Sequence, residues 1–154
     1  MRDRGEKLLN FDLLNSPLEG ANLIEASAGT GKTFTITCLF LRLLLEKRLT
    51  VNDILVVTYT VAATEELRDR TRKKIREALE AFSQGDSEDS FLKGLVQKTK
   101  DAEDATTLLR AALRDFDEAS IFTIHGFCQR TLHESAFESG SLGCRVRGTV
   151  EKHF

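Results

Sequence analysis

The sequence predicts an α/β protein with a parallel sheet that carries helices on both faces. Short apolar segments occur at 22–26, 53–58 and 120–124, and the second of them is rich in β-branched residues. The segments that separate and follow them repeat apolar residues at helical spacing. A glycine-rich turn joins the first apolar segment to the first helical one. Strands that alternate with helical crossovers favour a parallel sheet.

The spacing of apolar side chains predicts each helix in turn. The first covers 32–47, where Lys47 lies at the end at which a helix dipole favours a cation. A long helix is predicted over 62–82, and the polar segment 83–90 is predicted to be a loop. Further helices are predicted over 91–98, 104–115 and 126–137.

The composition is typical of one globular domain. Of the 154 residues 41% are hydrophobic, and the net charge of −2 excludes a generally polybasic protein. The longest apolar run, 38–45, contains Arg42 and is shorter than the ~20 residues that a membrane span needs. Three widely spaced cysteines without a Cys-x-x-Cys pair are expected of a reducing, cytoplasmic location.

The strongest chemical signal is Ala26-Ser-Ala-Gly-Thr-Gly-Lys-Thr33, between a predicted strand and a predicted helix. This is the pattern of a phosphate-binding loop, with alanine in place of the usual first glycine. Its glycines allow backbone N–H groups to surround phosphate oxygens at the helix N-terminus. Lys32 is expected at the β- and γ-phosphates, and the Thr33 hydroxyl at Mg²⁺. The predicted nucleotide-binding residues are Ala26, Ser27, Ala28, Gly29, Thr30, Gly31, Lys32 and Thr33.

Two further segments follow predicted strands, at 58–70 and 122–128. Open α/β sheets bind ligands at the carboxyl ends of their strands. With the phosphate loop, these segments resemble motifs I, Ia and Ib of the superfamily 1 DNA helicases, and within them the RecB-like helicase and nuclease subunits. The resemblance extends over about 23–140.

The resemblance implies a RecA-like P-loop NTPase fold that binds ATP and Mg²⁺. It also implies single-stranded DNA and RecC-like and RecD-like subunits as partners, in double-strand break repair and recombination. The DNA-binding residues that it implies are Thr58, Tyr59, Thr60, Thr123 and His125, with Tyr59 at a position where an aromatic ring stacks on a base. From residue types alone, a core position for Tyr59 and a helix cap for His125 stay open.

The resemblance weakens after Gly140. Residues 1–140 are therefore expected to be the N-terminal portion of a first RecA-like motor domain, and residues 141–154 a divergent tail, as in a truncated or frame-disrupted product.

ATP hydrolysis in this class needs an acidic pair that holds Mg²⁺ and activates water, normally after a buried strand. The single Asp-Glu pair, Asp117-Glu118, is predicted in a helix or loop instead. Arginine fingers, a second motor domain and a nuclease domain are not recognisable. ATP binding without hydrolysis, unwinding or nuclease activity is expected. The alternatives are a small P-loop kinase acting on a metabolite and an inert remnant that aggregates.

Six basic residues lie between 68 and 76. They are interpreted as a solvated helix face, with attraction of a phosphate backbone as the alternative. Glu66 and Arg70 are spaced to pair along a helix. His125, Cys128 and His133 lack the spacing of a zinc site.

Overall fold

The computed structural model of the chain describes residues 11–25, 29 and 31–138. Two strands, five α-helices and one short 3-10 helix occur within these ranges. In chain order they are α1 (Lys32–Glu46), β1 (Val56–Thr58), α2 (Val61–Gln84), α3 (Ser90–Lys98), α4 (Ala102–Arg114), the 3-10 helix (Phe116–Glu118), β2 (Ile121–Thr123) and α5 (Ile124–Glu138).

The two strands pair in parallel, with Thr58 opposite Thr123. Parallel strands need a long crossover connection, which α2, α3 and α4 provide here. Arg68 of α2 donates hydrogen bonds to the carbonyls of Ala119 and Ile121 at 3.2 and 3.1 Å. These bonds hold the crossover against the second strand. The predicted α/β arrangement with parallel strands is therefore confirmed.

The two faces of the sheet are covered unequally in the described part of the chain. Side chains alternate between faces along a strand, so Ile121 and Phe122 point in opposite directions. Ile121 is buried in the core with residues of α1, α2 and α4. On the other face, the guanidinium of Arg130 in α5 lies 5.4 Å from the centre of the Phe122 ring. Val57, the register partner of Phe122, remains 40% exposed.

The segment 22–25 does not form the strand that was predicted for 22–26. Leu23 is 84% exposed and Ile24 is 38% exposed. A strand needs a partner that satisfies its backbone N–H and C=O groups, and the sheet of the described residues contains β1 and β2 alone. The prediction is therefore wrong for residues 22–25, and Ala26 lies outside the described residues.

The hydrophobic core lies among α1, α2, α3 and α4. The large side chains that are almost completely buried include Phe40, Leu41 and Leu44 of α1, Ile75 of α2, Leu92 and Leu95 of α3, and Leu109 of α4.

In residues 11–25, 29 and 31–138, no helix is both long and apolar enough to cross a membrane.

A buried arginine fastens residues 13–16, which precede the glycine-rich loop, to α1. Arg42 is 2% exposed, and its guanidinium forms two hydrogen bonds with the carboxylate of Glu46. The same guanidinium donates to the carbonyls of Leu13 and Ser16 at 3.0 and 2.9 Å. Lys98 also approaches the carboxylate of Glu46, at 3.4 Å. These contacts hold residues 13–16 against α1.

The two described cysteines are expected to differ in reactivity. Cys38 is fully buried in α1, and desolvation raises the pKa of its thiol to about 12, whereas Cys128 is exposed on α5. Because the thiolate is the reactive form, Cys128 should react readily with dithiobis(nitrobenzoate) and Cys38 should react only after unfolding. The measurement uses a variant in which Cys144, outside the described residues, is replaced by serine. Reaction of both Cys38 and Cys128 while the chain is folded would contradict the buried position of Cys38.

Candidate nucleotide and nucleic-acid sites

The first helix begins directly after the glycine-rich loop. Gly29 and Gly31 have φ angles of 79° and 84°, in the left-handed region that glycine adopts without steric cost. Gly31 is the N-cap of α1, so Lys32 and Thr33 are the first two helical residues. A residue with a side chain would be strained in the backbone conformation of either glycine. The other predicted nucleotide-binding residues, Ala26, Ser27, Ala28 and Thr30, lie outside the described residues.

The N-terminus of α1 differs from those of the next three helices. Side chains cap α2, α3 and α4 through Thr60, Asp89 and Asp101 respectively. Gly31 provides no side-chain cap. The first turn of α1, like those of α2 and α3, contains no acidic residue. The first N–H groups of a helix lack intrahelical acceptors and carry the positive end of the dipole. The N-terminus of α1 can therefore donate hydrogen bonds to an anion.

The first turn of α1 is packed against the neighbouring helices. The ring of Phe34 meets the ring of Phe91 in α3 edge to face, with 6.5 Å between ring centres. The ammonium of Lys74 in α2 lies 5.1 Å from the centre of the Phe34 ring. Lys32 itself is exposed. The first turn of α1 is thus held by contacts with α2 and α3, while the side chain of Lys32 remains exposed to solvent.

The predicted DNA-binding residues meet at the carboxyl ends of the two strands. Thr58 and Thr123 are register partners there. Tyr59 and Thr60 connect β1 to α2, and His125 lies in the first turn of α5. These five residues are called the carboxyl edge below. Both α2 and α5 begin at this edge, so two helix N-termini give it a positive dipole potential.

Two threonines of the carboxyl edge cap these helices. Thr60 Oγ1 accepts the N–H of Ala63, and Thr123 Oγ1 accepts the N–H of Gly126, both at 3.1 Å. A hydroxyl that accepts a hydrogen bond keeps its own proton to donate. Each threonine can therefore cap its helix and donate to a phosphate oxygen. The start of α5 is therefore capped by the hydroxyl of Thr123 and not by the side chain of His125.

The only tyrosine of the chain is almost completely exposed. Tyr59 has 91% of its surface accessible, which excludes the core position that residue type alone left open. An aromatic ring that extends into solvent can stack on an unpaired base of any sequence. His125 is also exposed. The carboxyl edge therefore combines the exposed aromatic ring of Tyr59, the imidazole of His125 and the hydroxyl groups of its threonines.

Thr64 is a residue of this region that the sequence patterns did not single out. Its Oγ1 lies 2.6 Å from Thr58 Oγ1 and 3.0 Å from the carbonyl oxygen of Thr60. Bonds from a helical threonine to the carbonyl four residues earlier are common, so the Thr60 contact follows from spacing. The contact with Thr58 depends on how α2 packs beside β1, which no local pattern reveals.

The acidic pair of the sequence lies away from the carboxyl edge. Asp117 and Glu118 belong to the 3-10 helix before β2. Arg72 donates to Asp117 at 2.9 Å, and Asn52 donates to Glu118 at 3.0 Å. The pair thus precedes a strand and is held in structural contacts, so its position differs from that of an acidic pair that follows a buried strand.

Most of the basic residues between 68 and 76 are engaged within the protein. The predicted pair of Glu66 and Arg70 is present at 2.7 Å. Desolvation acts to lower the pKa of Lys74, but hydrogen bonds to Asp89 and Glu77 outweigh it and raise that pKa. Three further contacts join Arg68 to backbone carbonyls, Arg72 to Asp117, and Lys73 to Glu77. Together these contacts favour a structural role for the basic residues over a stripe that binds phosphate.

The histidine and cysteine side chains that the structure describes are not grouped as metal ligands. Among residues 11–25, 29 and 31–138, no group of three or more His, Cys, Asp or Glu side chains is placed to hold a metal ion.

The chain belongs to the family of UvrD/REP helicase N-terminal domains, because the model of that family matches residues 11–153. The RecBCD enzyme subunit RecB of Escherichia coli is 49% identical over 150 residues, which cover 92% of this chain and 12% of that protein. The same subunit of Haemophilus influenzae is 45% identical over 139 residues, covering 80% and 11%. That of Mycobacterium tuberculosis is 44% identical over 127 residues, covering 79% and 12%. The resemblance drawn from the three motifs is confirmed.

The chain spans about 12% of the length of these curated relatives. Most of the length of each relative therefore lies outside the matched region.

Proposed function

We propose that this chain is the ATP-binding N-terminal portion of the first motor domain of a RecB-like DNA helicase. The observation that carries the proposal is the uncapped N-terminus of α1, which follows two left-handed glycines and begins with Lys32. Membership of the helicase family supports ATP, rather than another anion, as the ligand. A small P-loop kinase is not favoured, because the matching family is one of helicase domains.

In the proposed nucleotide site, residues 26–33 surround the phosphates. The N–H groups at the start of α1 donate to phosphate oxygens, and Lys32 provides the positive charge at the β- and γ-phosphates. Thr33 is the residue that would hold Mg²⁺. The ion, when bound, neutralises phosphate charge and orients the triphosphate. The absence of an acid in the first turn fits this donor set, since a carboxylate there would repel the phosphates.

In the proposed DNA site, the carboxyl edge binds one DNA strand without reading its sequence. Tyr59 stacks on a base, while the hydroxyls of Thr60 and Thr123 donate to phosphate oxygens. Thr58 supports the turn between them, and His125 contacts the backbone. Stacking and phosphate contacts tolerate every base, as a motor that moves along DNA requires.

The whole protein would act in the cytoplasm, in double-strand break repair and recombination, with RecC-like and RecD-like subunits. The relatives carry the name of a subunit of the RecBCD enzyme, which supports this assembly. Residues 1–140 would belong to the motor domain and 141–154 to a divergent tail. Without a recognisable acidic pair for hydrolysis, this chain alone would bind Mg-ATP weakly and would not hydrolyse ATP, unwind DNA or cleave it.

Binding of both ligands by the unmodified chain tests the proposal. Because Tyr59 is the only tyrosine and tryptophan is absent, intrinsic fluorescence reports on this residue alone. A short oligothymidylate should quench it saturably, and the affinity should fall with salt by about 0.7 log unit per phosphate contact for each log unit of salt. Calorimetry should detect saturable Mg-ATP binding without release of phosphate.

Duplex DNA of the same length is the control for the fluorescence titration, since its stacked bases cannot take up the ring of Tyr59. A chain that is folded by circular dichroism and yet binds neither Mg-ATP nor oligothymidylate would contradict the proposed function.

A further inference from the structure

We propose that Thr64 is a positioning residue that holds Tyr59 in place for stacking. Its role toward DNA rests on the proposed function, whereas its effect on the tyrosine can be measured without DNA. Tyr59 is the single residue between the last residue of β1 and the N-cap of α2. Its orientation therefore depends on the turn from Thr58 to Thr60.

Three hydrogen-bonding distances close this turn. The Oγ1 atoms of Thr58 and Thr64 are 2.6 Å apart, and they lie 3.2 and 3.0 Å respectively from the carbonyl oxygen of Thr60. Each hydroxyl has one proton, so one donates to its neighbour and the other donates to the carbonyl. In either arrangement, two hydrogen bonds connect Thr58, Thr64 and the carbonyl of Thr60, and with the backbone from Thr58 to Thr60 they close a ring that contains Tyr59.

The backbone has to orient this side chain because packing does not. With 91% of its surface exposed, Tyr59 lacks the surrounding side chains that fix a buried ring. A turn that is held before binding reduces the conformational entropy lost when the ring stacks on a base. The hydrogen bonds of Thr64 and Thr58 hold the turn around Tyr59 in this way before DNA binds.

Other threonines of the chain provide a matched comparison. Thr106 of α4 also donates to the carbonyl four residues earlier, that of Ala102, at 2.7 Å. Thr64 and Thr106 are both half-buried. Thr64 differs in its additional contact with a hydroxyl of a strand. Loss of the hydroxyl should therefore affect Tyr59 at one position and not at the other.

The experiment compares Thr64→Val, Thr64→Ser and Thr106→Val with the unmodified chain. Valine preserves the shape of threonine without its hydroxyl, and serine preserves the hydroxyl. In Thr64→Val, the fluorescence anisotropy of Tyr59 in the absence of DNA should fall, and affinity for oligothymidylate should weaken by about three- to tenfold. Thr64→Ser and Thr106→Val should retain both properties.

Melting followed by circular dichroism separates positioning from stability, since a purely structural role would lower the melting temperature without changing the anisotropy. If Thr64→Val does not fold, Thr58→Val breaks the same ring from the strand and should give the same loss of anisotropy. Unchanged anisotropy in a folded Thr64→Val or Thr58→Val variant would overturn the proposal, as would an equal loss in Thr106→Val. If even the unmodified chain does not bind oligothymidylate, the proposed function fails, and anisotropy still decides the role of Thr64.

Discussion

Replacing Lys32 with alanine is expected to weaken Mg-ATP binding by about 10- to 100-fold, the size of one lost charge-assisted hydrogen bond. Lys32 is the first residue of α1 and is exposed, so its removal leaves the core and the helix cap intact. Phosphate oxygens would retain the backbone N–H groups of the loop but lose the one side-chain cation expected among them. Calorimetric titration of Mg-ATP into both chains, with and without oligothymidylate, measures the difference.

The control for this substitution is Lys73→Ala, which removes the same charge from α2. Lys73 is exposed and approaches Glu77 at 3.8 Å, so the stability of the fold should change little. Mg-ATP affinity should be retained in Lys73→Ala. Equal weakening in both variants would indicate a general charge effect, and unchanged binding in Lys32→Ala would place the phosphates away from the loop.

The largest expected effect on stability comes from Arg42→Met, which should lower the free energy of unfolding by about 3 kcal/mol. Methionine fills much of the volume of the arginine stem but leaves the carbonyls of Leu13 and Ser16 without their donor. It also leaves the carboxylate of Glu46, which is partly buried, with Lys98 as its remaining cation. Urea unfolding followed by circular dichroism measures the loss.

The same variant should change the response of stability to acid. Desolvation acts to raise the pKa of Glu46, but the hydrogen bonds and charges of Arg42 and, to a smaller extent, Lys98 outweigh it and lower that pKa below its usual 4.5. A carboxylate whose pKa is lowered by folding stabilises the protein above its unfolded pKa, and this contribution is lost as pH falls through the folded value. The stability difference between the native chain and Arg42→Met should therefore shrink below pH 4.5.

Lys47→Met is the matched control for Arg42→Met. It removes an exposed cation from the end of α1, where Lys47 pairs with the exposed Glu19. Such a surface pair contributes under about 1 kcal/mol. A loss in Lys47→Met as large as that in Arg42→Met would show that the buried contacts to Leu13 and Ser16 add nothing to stability.

Local signals in the sequence were sufficient for most of the secondary structure. The helix predicted over 32–47 is observed at Lys32–Glu46, and that predicted over 91–98 is observed at Ser90–Lys98. Helical periodicity, capping residues and left-handed glycines act within a few residues, so they can be recognised in the chain itself. The strand predicted over 22–26 is the instructive failure, because an apolar segment becomes a strand only when another strand pairs with it.

For the candidate sites, the sequence by itself determined the residue types and their order: the glycine-rich loop with Lys32, and the polar segments that follow two apolar runs. Tertiary structure alone decided that Thr58 and Thr123 lie side by side, that Tyr59 is exposed, and that Thr64 closes the turn beneath it. It also decided that Arg42 reaches a carbonyl 29 residues away. The physical reason is distance along the chain: hydrogen bonds and packing between remote segments depend on how whole elements fit together, which local periodicity does not encode.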